Sequence, residues 1–179
     1  VLALWELGAR IAQNDLMLPG VVQTLHALVE DMRNGELPHK VVNSFSTLLK
    51  GYVIGSVLAL GASALAVTTQ FGRDLLSTLT AMFNPLPAIA LLPLALLWFG
   101  LGNVSLVFVL VHSVMWPIAL KTWSGFSSVP ETLRMAGRNY GLSGPRYVLT
   151  ILIPASLPAI LSGLKIGWAF AWRTLIAAE

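Results

Sequence analysis

Apolar residues run in long blocks along this chain, with short polar breaks between them, and the blocks define its elements. Residues 19–36 predict an amphipathic helix: Val21, Val22, Leu25, Leu28, Val29 and Met32 recur on one face. Gln23, His26, Glu30, Asp31 and Arg33 cover the rest, Pro19 suits the start and Asn34-Gly35 the stop. The next helix begins near His39 and is apolar from Tyr52 to Thr69, with Gly51, Gly55 and Gly61 allowing close helix approach. Gln70 to Asp74 reads as a tight polar turn. A third helix, from about Leu75 to Phe99, is interrupted by Pro85-Leu86-Pro87 and Pro93. Prolines inside an apolar helix free backbone carbonyls, which neighbouring helices or a cavity must satisfy. After Gly100-Leu101-Gly102 a fourth helix runs from Val104 to about Thr122. The one long polar connection, from Trp123 to Arg146, opens with an apparent capping box, Ser128 and Glu131 around Pro130. Its short helix, Pro130 to Tyr140, should stop at Gly141, and Ser143-Gly144-Pro145 should start another. The last helix is expected as one piece from Leu149 to beyond Ala178.

Composition gives these blocks their setting. Of 179 residues, 56% are hydrophobic and 11% charged, and mean hydropathy is +0.77. Soluble domains carry roughly 25% charged residues, so lipid must replace water over much of this surface. From Leu75 to Leu120 there is no Asp, Glu, Lys or Arg, a stretch long enough for two spans of ~20 residues. The fold class is therefore all-α, a polytopic transmembrane helical bundle with five spans wholly or partly present. Val1 in place of Met, and an end inside an apolar segment, point to a chain truncated at both ends. Residues 1–18 would then hold the end of a lost first span and an outer segment, 19–36 an outer amphipathic helix, and 39–179 the transmembrane domain.

Net charge is +3, but the basic residues are scattered between apolar blocks and form no nucleic-acid patch. They do fix an orientation. Arg73, Lys121, Arg134, Arg138 and Arg146, against Asp74 and Glu131, fall on one side. Arg10, Arg33 and Lys40, against Glu6, Asp15, Glu30, Asp31 and Glu36, fall on the other. The more basic side is cytoplasmic, which places the connection 123–148 inside the cell.

Several chemistries lack their residues. There is no cysteine and no Gly-Lys dipeptide, so no thiolate metal site and no P-loop. His26, His39 and His112 are far apart, no hydrolase motif occurs, and no span carries a carboxylate before Glu179. The expectation is neither an enzyme nor a metal or cofactor protein. Charges within apolar helices are expensive and often functional. Lys165 and Arg173 share a broad face of the last helix with Trp172, a face that could line a translocation path for an anion. Lys165 could equally pair with a backbone carbonyl, with Arg173 reaching to the interface.

Two stretches resemble a known family, the binding-protein-dependent ABC-transporter permeases of the nitrate, sulfonate, taurine and bicarbonate branch. One is Pro85-Leu86-Pro87-Ala88-Ile89-Ala90-Leu91-Leu92-Pro93-Leu94, followed by Trp98-Phe99-Gly100-Leu101-Gly102. It is similar to the branch signature I-P-x-x-A-x-x-P-L…W-F-G-x-G. The other is Met135-Ala136-Gly137, Gly141 and Ile153-Pro154-Ala155-Ser156-Leu157-Pro158, where the family carries E-A-A…G…L-P. Here Met135 replaces the glutamate and Gly137 the second alanine, while Glu131 lies one helical turn earlier. The resemblance implies the type I importer permease fold and a docking surface for an ATP-binding subunit at Glu131, Met135, Ala136, Gly137, Gly141, Pro154 and Pro158. It also implies two permease copies, a periplasmic or extracellular solute-binding protein, and a multi-pass place in a bacterial plasma membrane. The alternative from another class is a secondary transporter or channel working alone.

Overall fold

The structure is a computed structural model that describes residues 1–12 and 17–179 of the chain. Asp15, counted above in the outer charge balance, and the rest of the 13–16 stretch lie outside the described residues. Every regular element among the described residues is helical. The chain divides into two units, Val1–Phe45 and Ser46–Glu179.

The first unit holds α1 (Leu2–Ala12), α2 (Val21–Arg33) and the start of α3 (Glu36–Thr68). Its fastening is polar. Glu6 of α1 accepts a hydrogen bond from the Val21 N–H at 2.9 Å and pairs with Arg10 at 3.1 Å. A carboxylate thus sits at the first turn of α2, where the helix dipole favours negative charge. Trp5 Nε1 donates to the Pro19 carbonyl at 3.1 Å.

In the second unit the helices are α4 (Gln70–Phe83), α5 (Leu92–Phe99), α6 (Asn103–Ser127), α7 (Glu131–Asn139), α8 (Gly144–Tyr147), α9 (Ile153–Ala155) and α10 (Leu157–Ala178). A 3₁₀ turn, Ala88–Leu91, precedes α5 and a π turn, Val148–Leu152, joins α8 to α9. Helix α6 is the axis. Gly51 and Gly55 of α3 meet Leu110 and Val114 of this helix, and Gly163 and Gly167 of α10 meet its Lys121, Ile118 and Val114. Small residues four apart let backbones approach where lipid gives no hydrophobic drive between helices. Leu48, Leu110, Val114, Ile118 and Leu175 fill the resulting core. Ser63 of α3 adds a hydroxyl hydrogen bond to the Ala119 carbonyl of α6 at 3.1 Å.

Among the described residues, two helices are long and apolar enough to cross a bilayer alone, Glu36–Thr68 and Asn103–Ser127. Two further spans are broken pairs. Gln70–Phe83 and Ala88–Phe99 meet at 88°, and Gly144–Ala155 and Leu157–Ala178 meet at 81°. The single helix expected from Leu149 onward is therefore wrong: it turns sharply at Ser156. Pro158 cannot donate to the preceding turn, and with Pro154 it confines continuous helix to either side of the corner. The polar turn expected over Gln70–Asp74 is instead the first turn of α4. Thr69 caps it, its hydroxyl accepting from Gly72 N–H at 3.0 Å.

The short α5 is tied to α6 by Ser105, fully buried, whose hydroxyl reaches the carbonyls of Gly100 at 2.6 Å and Ala95 at 3.1 Å. Ser105→Ala leaves those carbonyls without this donor at a cost of ~1–2 kcal/mol. The expected lowering of the apparent melting temperature in detergent is a few degrees, about 2–4 °C per kcal/mol for a chain of this size; an unchanged value would remove Ser105 from the account.

Candidate functional site

The first break makes a cavity. Helix α4 ends at Asn84 and the next residues, Pro85-Leu86-Pro87, carry only one backbone N–H between them. Irregular backbone survives at membrane depth only where it is covered by protein or lines a cavity, and here it lines one of about 440 Å³. His112, Ser113 and Trp116 of α6 form one wall, and Phe170, Arg173 and Thr174 of α10 another. Trp116 is only 7% exposed and Phe83 stacks on its indole, centroids 5.6 Å apart. His112 stands edge-on to both rings, each at 6.1 Å. Trp116 Nε1 and both His112 ring nitrogens are buried without a protein hydrogen-bond partner. Leaving such a donor unpaired costs ~1–3 kcal/mol, a cost that a ligand acceptor relieves. Among the described residues, Arg173 is the only one lining the cavity with a formal charge.

The connection after α6 forms a projecting knob. Its capping box does not form. Ser128 remains in the last turn of α6, with its hydroxyl on the Gly125 carbonyl at 2.9 Å, and Pro130 takes the N-cap position of α7 without a side-chain bond. Glu131 instead sits in the first turn of α7, favourable for a carboxylate, 4.0 Å from Arg134. Arg134 turns back and donates to the carbonyls of Phe126 at 2.6 Å and Val129 at 3.1 Å. One cation therefore satisfies the open end of α6 and fixes α7 to it. At the other end Gly141, φ +72°, closes α7: its N–H reaches the Arg138 carbonyl at 2.9 Å, and Leu142 N–H reaches Gly137 at 3.0 Å. This paired closure needs a left-handed residue, which is why glycine stands there.

Gly137 is buried, and a Cβ there would lie 3.0 Å from Ile151 and 3.1 Å from Tyr147. The outward face of the knob carries exposed Glu131, Leu133, Met135 and Tyr140, with Ala136 half-buried. Pro154 and Pro158 flank the corner at Ser156, separate from that face in the chain. Of the three path residues read from the sequence, Arg173 lines the cavity. Lys165 is exposed elsewhere on α10, and Trp172 packs its ring against Trp168, centroids 6.1 Å apart. His112, Trp116 and Asn84 were missed. The available signal was the Pro-Leu-Pro break, which demands a cavity but does not say what else lines it.

An axial helix flanked by small-residue contacts, two broken spans and a projecting knob make up a helical membrane bundle. The chain belongs to the family described as binding-protein-dependent transport system inner membrane components, which matches residues 51–179. It is similar to an ABC transporter permease candidate of Methanocaldococcus jannaschii, MJ0413, at 32% identity over 98% of this chain and 67% of that protein. A candidate aliphatic sulfonates transport permease of Escherichia coli K12, SsuC, is 30% identical over 100% of this chain and 68% of its own length. The nitrate import permease NrtB of Synechocystis is 30% identical over 78% of this chain and 51% of its own. The chain is thus an integral membrane permease subunit of an ATP-driven importer, and the family implies an ATP-binding subunit and a solute-binding protein as partners.

Proposed function

We propose that this permease carries a small oxyanion, a sulfonate or nitrate, across a bacterial inner membrane as one of two copies set above two ATP-binding subunits. Similarity to permeases named for sulfonates and nitrate supports the substrate class. The observation that carries the coupling role is the knob itself: a nine-residue helix, fixed at one end by Arg134 and closed at the other by Gly141. Such a piece can pass a rigid-body movement of a partner to the spans on either side. Glu131, Met135, Ala136, Gly137 and Gly141 form the docking element, with Pro154 and Pro158 fixing the corner behind it. Because Met135 stands at the family's glutamate position, the contact is mainly apolar, through Leu133, Met135 and Tyr140, with Glu131 at its edge. Residues 1–18 and 19–36 lie on the outer side in this reading, and Lys165, Arg173 and Trp172 belong to the anion's route.

The test is co-purification of the full-length permease with its ATP-binding subunit, comparing wild type with Gly141→Val. A β-branched residue at positive φ is strongly disfavoured, so the knob loses its closure while the spans are untouched. The expected result is recovery of the ATPase by wild type and a loss of about tenfold or more in the variant. Equal recovery by both overturns residues 130–146 as the docking element; no recovery by folded wild type overturns the coupling role and favours the alternative, a transporter working alone.

A further inference from the structure

The geometry points to a binding station for one oxyanion inside the membrane, in the cavity between the α4–α5 break, α6 and α10, held by Trp116, His112 and Arg173. The inference rests on the oxyanion reading above and gives that route a stopping place in this chain.

Three observations converge on the ligand class. The indole N–H can only donate a hydrogen bond, and Trp116 is 7% exposed with that N–H unpartnered. Whatever it serves must bring an acceptor. Arg173 supplies positive charge, no carboxylate among the described residues lines the cavity, and a guanidinium fork suits two oxygens of a planar or tetrahedral oxyanion. His112 offers an N–H from whichever ring nitrogen carries the proton, again unpartnered and buried. The Arg173 charge opposes a cation there. The cavity, about 440 Å³, falls within the ~300–1,000 Å³ usual for small-molecule sites.

Its place in the fold also fits a stop on a path. Arg73, Ser77, Thr80 and Asn84 recur at helical spacing along one face of α4. Asn84 ends in the cavity, while Arg73, Ser77 and Thr80 line a second hollow of about 500 Å³ with Trp123. The polar face therefore leads from the station toward the cytoplasmic loop end. Phe83, stacked on Trp116, holds the indole plane in place beside it.

The test uses the full-length permease with its ATPase in phosphatidylcholine nanodiscs, without the solute-binding protein, titrated calorimetrically with ethanesulfonate and with nitrate. Wild type is expected to bind at least one of them. Trp116→Phe keeps the ring and removes the donor, and should weaken binding about tenfold while an unshifted size-exclusion peak with the ATPase reports intact assembly. Arg173→Gln, at an exposed position that should not disturb folding, is expected to weaken it by at least as much. Trp98→Phe, the same exchange at an exposed indole off the cavity wall, should bind as wild type. Binding of neither anion by wild type, or wild-type affinity in both Trp116→Phe and Arg173→Gln, overturns the station. If proteoliposomes supplied with the binding protein still show ATP-driven anion uptake, the transport reading survives that result; absence of uptake there overturns the reading itself.

Discussion

Gly167→Leu in the full-length permease is expected to leave almost no folded protein in the membrane, while Gly61→Ala leaves its amount unchanged. Both are helical glycines in apolar stretches, yet their surroundings differ completely. A Cβ on Gly167 would lie 2.6 Å from Cδ1 and 2.8 Å from Cγ1 of Ile118, whereas one on Gly61 meets nothing within 4 Å. Ile118 is fully buried in the core and has nowhere to withdraw. Val114 beside it is pinned as well, since Gly55 of α3 and Gly167 both close on its Cγ1, 3.1 and 3.4 Å from the position of an added Cβ. Overpacking by a single methylene-scale change costs ~1–3 kcal/mol, and leucine adds four carbons along a helix pair. Against a typical total stability of ~5–15 kcal/mol, and with close packing as the main adhesive between helices in lipid, the variant should misassemble. Gly61→Ala instead gains ~0.5–1 kcal/mol of helix propensity. Size-exclusion chromatography of detergent extracts measures both; a normal monodisperse peak for Gly167→Leu would mean that α10 does not pack on α6 as described.

Gly137→Leu should have a different outcome: a permease that inserts and folds but recovers its ATPase at least tenfold less well, about 1.4 kcal/mol of lost binding or more. Gly137 faces inward, against Ile151 and Tyr147. The leucine side chain has to enter that space, so α7 must lift from the π turn and swing its exposed Met135 and Tyr140 out of register. The contact touches only the short arm of the last broken span, 144–155, and none of α3, α6 or α10. ATP-driven uptake should fall with ATPase recovery, and the peak in size-exclusion chromatography should not shift. Wild-type recovery of the ATPase with Gly137→Leu would show that the seating of α7 is irrelevant to docking.

The long apolar helices were plain in the sequence because α6 is charge-free until Lys121 and because α3 is apolar from Tyr52 to Thr68. The stop at Gly141 was also legible, since a glycine after a short polar helix has one common use there. The corner at Ser156 was not. Pro154 and Pro158 lie within an apolar run, and hydropathy is indifferent to an 81° bend. Ser128 and Glu131 had the spacing of a capping box, but α6 holds Ser128 in its own last turn and so removes it from α7. The cavity was legible only in part. The prolines demanded cover for freed carbonyls, and Arg173 stood out as a charge, but His112 and Trp116 look like ordinary core residues until the fold brings α6 beside α10.

The corner has a mechanical meaning. Gly125 of α6 holds it closely: a Cβ there would lie 2.6 Å from Ala159 and 3.2 Å from Ser156. Residues 144–155 and α10 thus form an L whose elbow bears on a fixed post. At 1.5 Å per residue the short arm measures about 18 Å and the distance from elbow to Arg173 about 24 Å. If the L turns as one body about that elbow, a tilt of about 10° at the short arm sweeps the guanidinium through roughly 4 Å, by the same helical rise. That exceeds the reach of any hydrogen bond, which fails beyond about 3.5 Å. A small displacement of the short arm would then carry Arg173 away from an anion in the cavity, and α10 would have to slide against Ile118 and Val114 to allow it.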